Sequence, residues 1–206
     1  MRFLKVFIFG LICLTNYGQN PNFEFDGHNW EAPYILSAPK DWSVERFLIP
    51  IDFAPKIQYK GVEDIRFSPG WAKVNNDDYW SYAFLWYLEG DIKMNGDIIA
   101  ANLKDYYNGL IAVNGSKIPS EKIKPVEVSI KEVPTVSFDS KTFLGTIRML
   151  DYMTQKQITL NCKVHLRSCN GKNNTFIFYE LSPMQLGHDI WRCLDKLWDD
   201  FKCERN

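Results

Sequence analysis

Acid–base and nucleophilic chemistry need a base within reach of its partner, and this 206-residue chain has only three histidines, His28, His165 and His188. No Gly-x-Ser-x-Gly elbow and no characteristic catalytic-cysteine context accompanies them. His165 is expected on the solvated side of a strand. His188-Asp189 reads as a helix start, with Asp189 beside free backbone donors. Glycine-rich phosphate loops, His-Glu-x-x-His and calcium-loop patterns are absent, so no cofactor and no metal is expected. Asn75-Asn76-Asp77-Asp78 is rich in oxygen, but such runs ordinarily form turns by capping their own backbone.

Carboxylates are the remaining source of chemistry. Glu45, Glu63 and Asp64 flank an aromatic segment, and a carboxyl buried among rings has a raised pKa suited to a general acid. Two of them converging within about 5 to 10 Å would fit glycoside hydrolysis. Strand alternation argues against that, because it puts Glu63, Ile65 and Phe67 on one side and Asp64 and Arg66 on the other. Trp80, Tyr82 and Trp86 form a stripe at even positions, and such rings are ordinary core material. They also suit a mostly apolar cleft for a sugar, lipid or peptide side chain, with Glu63 and Arg66 orienting polar groups. Trp80, Tyr82, Trp86, Glu63 and Arg66 are therefore the candidate ligand-binding residues, and no catalytic residue is assigned.

These residues must be held by strands and helices that the sequence outlines. Val44 to Ile51 predicts a strand that Pro50 either ends or places at an edge of the sheet. Ile57 to Tyr59 and Ile65 to Phe67 predict shorter ones, closed by Pro69-Gly70. Tyr79 to Leu88 is aromatic on both faces, which predicts a central strand covered on both sides. Ile99, Leu103, Tyr106 and Leu110 have helical spacing, giving a helix from Asp97 that ends at Asn108-Gly109 or runs on to Asn114-Gly115.

A three-strand meander follows at Thr142–Leu150, Gln157–Ser168 and Thr175–Leu181. In its middle strand Leu160, Cys162 and Val164 point one way, and Lys163, His165 and Arg167 point the other, towards water. A last helix, Asp189 to Phe201, carries the apolar stripe Ile190, Leu194, Leu197, Trp198 and Phe201, which must cover the sheet. The expected class is α+β: a single domain with an antiparallel sheet and a mid-chain and a C-terminal helix packed on it.

The first residues fix an expected address. Arg2 and Lys5, the apolar run Val6–Leu14 and the small polar residues after it have the form of a signal peptide over residues 1–18, too short to span a membrane. Ile12 before Cys13 speaks against lipid attachment. An irregular arm is expected over residues 19–41, pinned by Trp30 and Tyr34, and the α+β domain over residues 42–206. Removing Arg2 and Lys5 takes the formal charge from −1 to −3 with no basic stripe, which excludes nucleic acid as a partner. Past residue 18 no apolar run has membrane length, so stable membrane insertion is not expected. In an oxidising compartment Cys162, Cys169, Cys193 and Cys203 favour disulfides over free thiols or zinc. The pairings that best join helix to sheet are Cys162 with Cys193 and Cys169 with Cys203.

Pro39-Lys40-Asp41-Trp42 followed by a strand, an amphipathic helix, the meander and a short closing helix resembles the PsbP-like fold in element order. That resemblance covers most of residues 39–203 and implies an α-β-α domain of the kind used as a non-catalytic accessory subunit. A cone-shaped nuclear-transport-factor-like domain is the other α+β architecture that fits. The expected function is an exported, non-enzymatic binding or accessory protein of the bacterial envelope, periplasmic or extracellular. Its partner would be a small molecule or an envelope protein. A small envelope hydrolase using carboxylates beside an aromatic cleft is the alternative.

Overall fold

A computed structural model describes residues 25–136, 138–169 and 171–204, so the expected signal peptide and the start of the arm lie outside the described residues. Seven antiparallel strands form one sheet in the order β1-β2-β3-β7-β6-β5-β4. They are β1 (Ser43–Ile49), β2 (Gly61–Phe67), β3 (Tyr82–Glu89), β4 (Glu127–Val133), β5 (Lys141–Asp151), β6 (Lys156–Ser168) and β7 (Asn174–Ser182). Helices α1 (Gly96–Asn114) and α2 (Asp189–Asp199) cover opposite faces. The α+β class and the two helices are as the sequence predicts.

The central strand explains the two faces. In β3, Tyr82, Phe84, Trp86 and Leu88 point into the core beneath α1, and Ala83 and Leu85 point into the core beneath α2. Each of these side chains is at most 3% exposed, so the strand is covered on both sides. β3 pairs with β2 on one side and β7 on the other.

Helix α1 starts where the Asn95 side chain accepts the Ile98 N–H at 2.9 Å, with Asp97 in its first turn, and buries Ile99, Leu103, Tyr106, Tyr107 and Ile111. It runs to Asn114, the longer of the two ends the sequence allowed, and the Gly115 N–H closes on the Ile111 carbonyl. Gly109 has a different use. A Cβ there would lie 1.8 Å from the Phe53 carbonyl oxygen, so glycine lets the loop after β1 press on the helix. Phe53 is thereby brought edge-on to Tyr106, with ring centroids 5.1 Å apart.

Helix α2 is capped by His188, whose Nδ1 accepts the Ile190 N–H at 3.3 Å, while Asp189 pairs with Arg192. It buries Trp191, Leu194, Leu197 and Trp198 on the face of the sheet away from α1. That placement corrects the solvated face expected for β6. His165 is 4% exposed and Arg167 9%, because α2 covers the polar side of the strand and not its Leu160–Cys162–Val164 side. The cysteines follow from the same geometry. Cys169 and Cys203 form a disulfide with Cα atoms 5.8 Å apart. Cys162, buried under α1, and Cys193, exposed on α2, lie on opposite faces of the sheet and are free thiols, so the second expected pairing is not formed.

Residues before Trp42 join the α2 layer. Ala32, Tyr34 and Leu36 are buried there, and Ile35 pairs with Lys202 near the other end of the chain. Ile57–Tyr59 is not a strand, whereas β4, unforeseen in the sequence, forms the far edge. No helix among the described residues is long and apolar enough to cross a membrane.

Candidate functional site

An aromatic cleft of about 200 Å³ opens between α1, the first three strands and three connecting segments. Phe47 of β1, Phe67 of β2 and Tyr82 of β3 come from the sheet, Tyr106 and Leu110 from α1, and Phe53 from the loop pressed on Gly109. Trp71 and Trp80 come from the β2–β3 connection and Tyr152 from the β5–β6 turn. Glu45 and Asn114 are its polar members.

The β2–β3 connection and the β5–β6 turn are each held by a carboxylate. Asp78 accepts the Gly70 N–H at 2.8 Å, and the Trp80 N–H meets the Trp71 carbonyl at 2.8 Å, so the oxygen-rich Asn75–Asp78 run serves as a turn anchor. Asp151 accepts the Tyr79 hydroxyl at 2.7 Å and the Met153 N–H at 2.9 Å, fixing the turn that presents Tyr152. Phe67 stacks on Trp71 at 4.4 Å, and Trp80 meets Tyr152 edge-on at 5.3 Å.

Trp80 is the unusual member. Its φ is +54°, a left-handed conformation that costs a bulky residue on the order of 1–3 kcal/mol and persists only where the surroundings enforce it. The ring is 1% exposed, yet its indole N–H has no hydrogen bond. The Tyr79 hydroxyl lies near enough to feel that N–H but outside hydrogen-bond geometry.

Glu63 lies behind the cleft wall. One oxygen accepts the Trp86 indole N–H at 2.7 Å and the other the Tyr106 hydroxyl at 2.8 Å. Burial pushes its carboxyl up to about 7, against the opposing effect of those two hydrogen bonds.

Of the five expected ligand-binding residues, the structure brings Trp80 and Tyr82 to the cleft surface. Trp86 is fully buried behind it, packed between Tyr106, Phe84 and Tyr179. Arg66 lies on the other face, paired with Asp64 and donating to the Leu36 and Ser37 carbonyls. Asp64 also takes Arg46 and the Tyr34 hydroxyl, so it tethers the arm and does not converge with Glu63.

A second polar assembly escaped the sequence reading. Beneath α2, His165 lies between Asp139 and the fully buried Glu180, next to Lys163 and Arg167. One available signal was parity: His165 and Arg167 share a strand face, Glu180 shares one with Phe178, and the closing helix had to cover something.

Among the described residues no group of three or more His, Cys, Asp or Glu is placed to hold a metal ion. No family model matches the chain, and neither the comparison with curated proteins nor that with solved structures returned a match.

Proposed function

We propose that this protein is an exported, non-catalytic binding protein of the cell envelope whose aromatic cleft takes a ring-bearing group of a small molecule or partner. The observation that carries this is Trp80: a buried indole in a strained backbone, with an unused N–H, beside an open aromatic cleft. Strain of that kind concentrates at ligand-binding positions, and an unmade buried hydrogen bond favours whatever supplies the acceptor. A flat ring stacked against Trp71 fits the open part of the cleft, and an oxygen or nitrogen acceptor on it would meet the Trp80 N–H if the indole turns towards it. The Cys169–Cys203 disulfide and the expected signal peptide support the exported setting.

The hydrolase alternative draws on Glu63, whose raised pKa suits a general acid. Both of its oxygens are already occupied, however, and Asp64 faces the other way.

A thermal-shift screen of residues 19–206 against aromatic acids, methyl glycosides, fatty acids and short peptides tests the reading, since a ligand for the folded state raises its melting temperature. Trp71→Ala removes a half-buried ring and is expected to weaken the ligand by about tenfold with little loss of stability. Trp86→Ala, by contrast, empties the core at a cost of about 3–5 kcal/mol. No shift from any ring-bearing compound, or equal binding by Trp71→Ala, rejects the proposal.

A further inference from the structure

On the face opposite the aromatic cleft, burial has left an incomplete set of hydrogen bonds. Asp139, from the connection between β4 and β5, is saturated. It takes the Thr142 hydroxyl at 2.8 Å, His165 Nδ1 at 2.7 Å and the Trp198 indole N–H at 2.8 Å. With Nδ1–H committed to Asp139, the other ring nitrogen of His165 points at Glu180. It stops 3.5 Å from Oε1 and makes no hydrogen bond. Lys163 Nζ bonds Asp195 of α2 and stays 3.7 Å from Oε2 of Glu180. Glu180 is 0% exposed and neither of its oxygens has a hydrogen bond.

These atoms border a cleft of about 360 Å³ between α2 and the β4–β5 connection. Val133, Pro134, Val136 and Leu144 form its apolar wall. Lys163 brings positive charge to it, as does His165, whose pKa rises to about 9 because, against its burial, the Asp139 and Glu180 carboxylates favour the doubly protonated ring, so that Nε2 is a donor as well; Glu180, Asp195 and Asp199 bring negative charge. Arg167 is turned away, over the Trp198 ring at 4.2 Å and towards Asp139.

We infer that this cleft is a second binding site, for a neutral ligand carrying two adjacent hydroxyl groups on a ring, as a sugar does. A hydroxyl donates once and accepts as well. Each oxygen of Glu180 has a nitrogen donor beside it, too far for a direct bond, so a hydroxyl seated next to both can donate to the oxygen and accept from the nitrogen. Two such oxygen–nitrogen couples sit on one carboxylate, which two neighbouring hydroxyls match.

The charges exclude the simpler ligands. An ammonium group would satisfy Glu180 but meet Lys163 and His165, and an anion would satisfy those two but meet Glu180, Asp195 and Asp199. The apolar wall then receives the carbon face of the ring. Entry requires Lys163, 16% exposed on a flexible stem, to leave Asp195.

Amide NMR titration of residues 19–206 with trans-cyclohexane-1,2-diol and with cyclohexanol tests this, because the two probes differ by one hydroxyl. Saturable shifts are expected with the diol at His165, Glu180 and the first turns of α2, and at most weak ones with cyclohexanol. Glu180→Gln is expected to weaken the diol by about tenfold or more by removing a charged acceptor. Val136→Trp fills the mouth from a side chain that is 48% exposed, leaves the buried cluster intact, and is expected to abolish the shifts. It therefore stands as the test if Glu180→Gln fails to fold. The inference is overturned if cyclohexanol acts as strongly as the diol, if the diol produces no shift up to about 0.1 M, or if the Val136→Trp variant binds as the native chain does.

Discussion

Glu63 has a measurable signature. Its carboxyl is held at about 7 in the folded protein against an ordinary 4.5, so between those values the folded chain keeps a proton that the unfolded chain has lost. The resulting stabilisation is complete below pH 4.5 and is lost as the pH rises through about 7, a change on the order of 3 kcal/mol. Glu63→Gln cannot ionise, and its amide can still meet Trp86 as acceptor and Tyr106 as donor. Urea unfolding of both proteins from about pH 4 to about pH 8 should show the stability difference moving in the variant's favour by that amount. Parallel pH profiles would mean that Glu63 ionises normally and that burial has been compensated.

Among the elements, the segment after α2 is tethered by a disulfide, a backbone pairing and a lysine. The disulfide from Cys169 to Cys203 closes a loop of 34 residues, Ile35 pairs with Lys202, and Lys172 Nζ bonds the carbonyls of Pro33 and Cys203. Chain entropy alone gives such a crosslink about 3–4 kcal/mol. Cys203→Ser is expected to lower stability by that amount and to speed hydrogen exchange in the Tyr34–Leu36 arm and the end of α2 before it affects β3. Uniform exchange across the molecule would show that arm and helix are not one cooperative unit. The Cys169–Cys203 pair was legible in the sequence because both residues fall at element ends, free to meet. The Cys162–Cys193 pair was misread because alternation tells which residues share a face but not which of two faces a helix will cover. β7 is apolar on both faces from Phe176 to Tyr179, so it gave no hint. Trp80 and Tyr82, singled out by residue type as either core or pocket, border the cleft. Tyr152, Phe53 and Tyr106 were not singled out, since they join the site through separate loops and a helix whose meeting depends on the whole fold. β4 went unread although Val128 and Ile130 alternate with polar neighbours, because its short apolar signal lies in a charged stretch.

Across the whole molecule, strand order divides the sheet into two meanders, β1-β2-β3 and β4-β5-β6-β7, each contiguous in sequence and joined to the other where β3 pairs with β7. Helix α1 and the segment after it carry the chain from the middle of the sheet over one face to the far edge. Both candidate sites combine neighbours within a meander with residues brought over by a helix. The cleft near Trp80 depends on α1, and the Glu180 cluster on α2.

The join between β3 and β7 sets the expected order of events as the chain acquires its structure. Within each meander, neighbouring strands are close in sequence and can pair early, whereas Leu85 and Phe178, opposite one another across the join, are about 90 residues apart. Loop-closure entropy therefore falls on that one seam, and the barrier should be crossed as it closes. Leu85→Ala, in the seam, is expected to act mainly by slowing folding, and Ile130→Ala, in the edge strand β4, mainly by speeding unfolding. Stopped-flow rates across a urea series separate the two, and a seam variant that only hastens unfolding would place closure after the barrier. Until the seam closes, β3 and β7 each present an unpaired, almost wholly apolar edge, so a chain held at that stage would be open to pairing with another copy of itself.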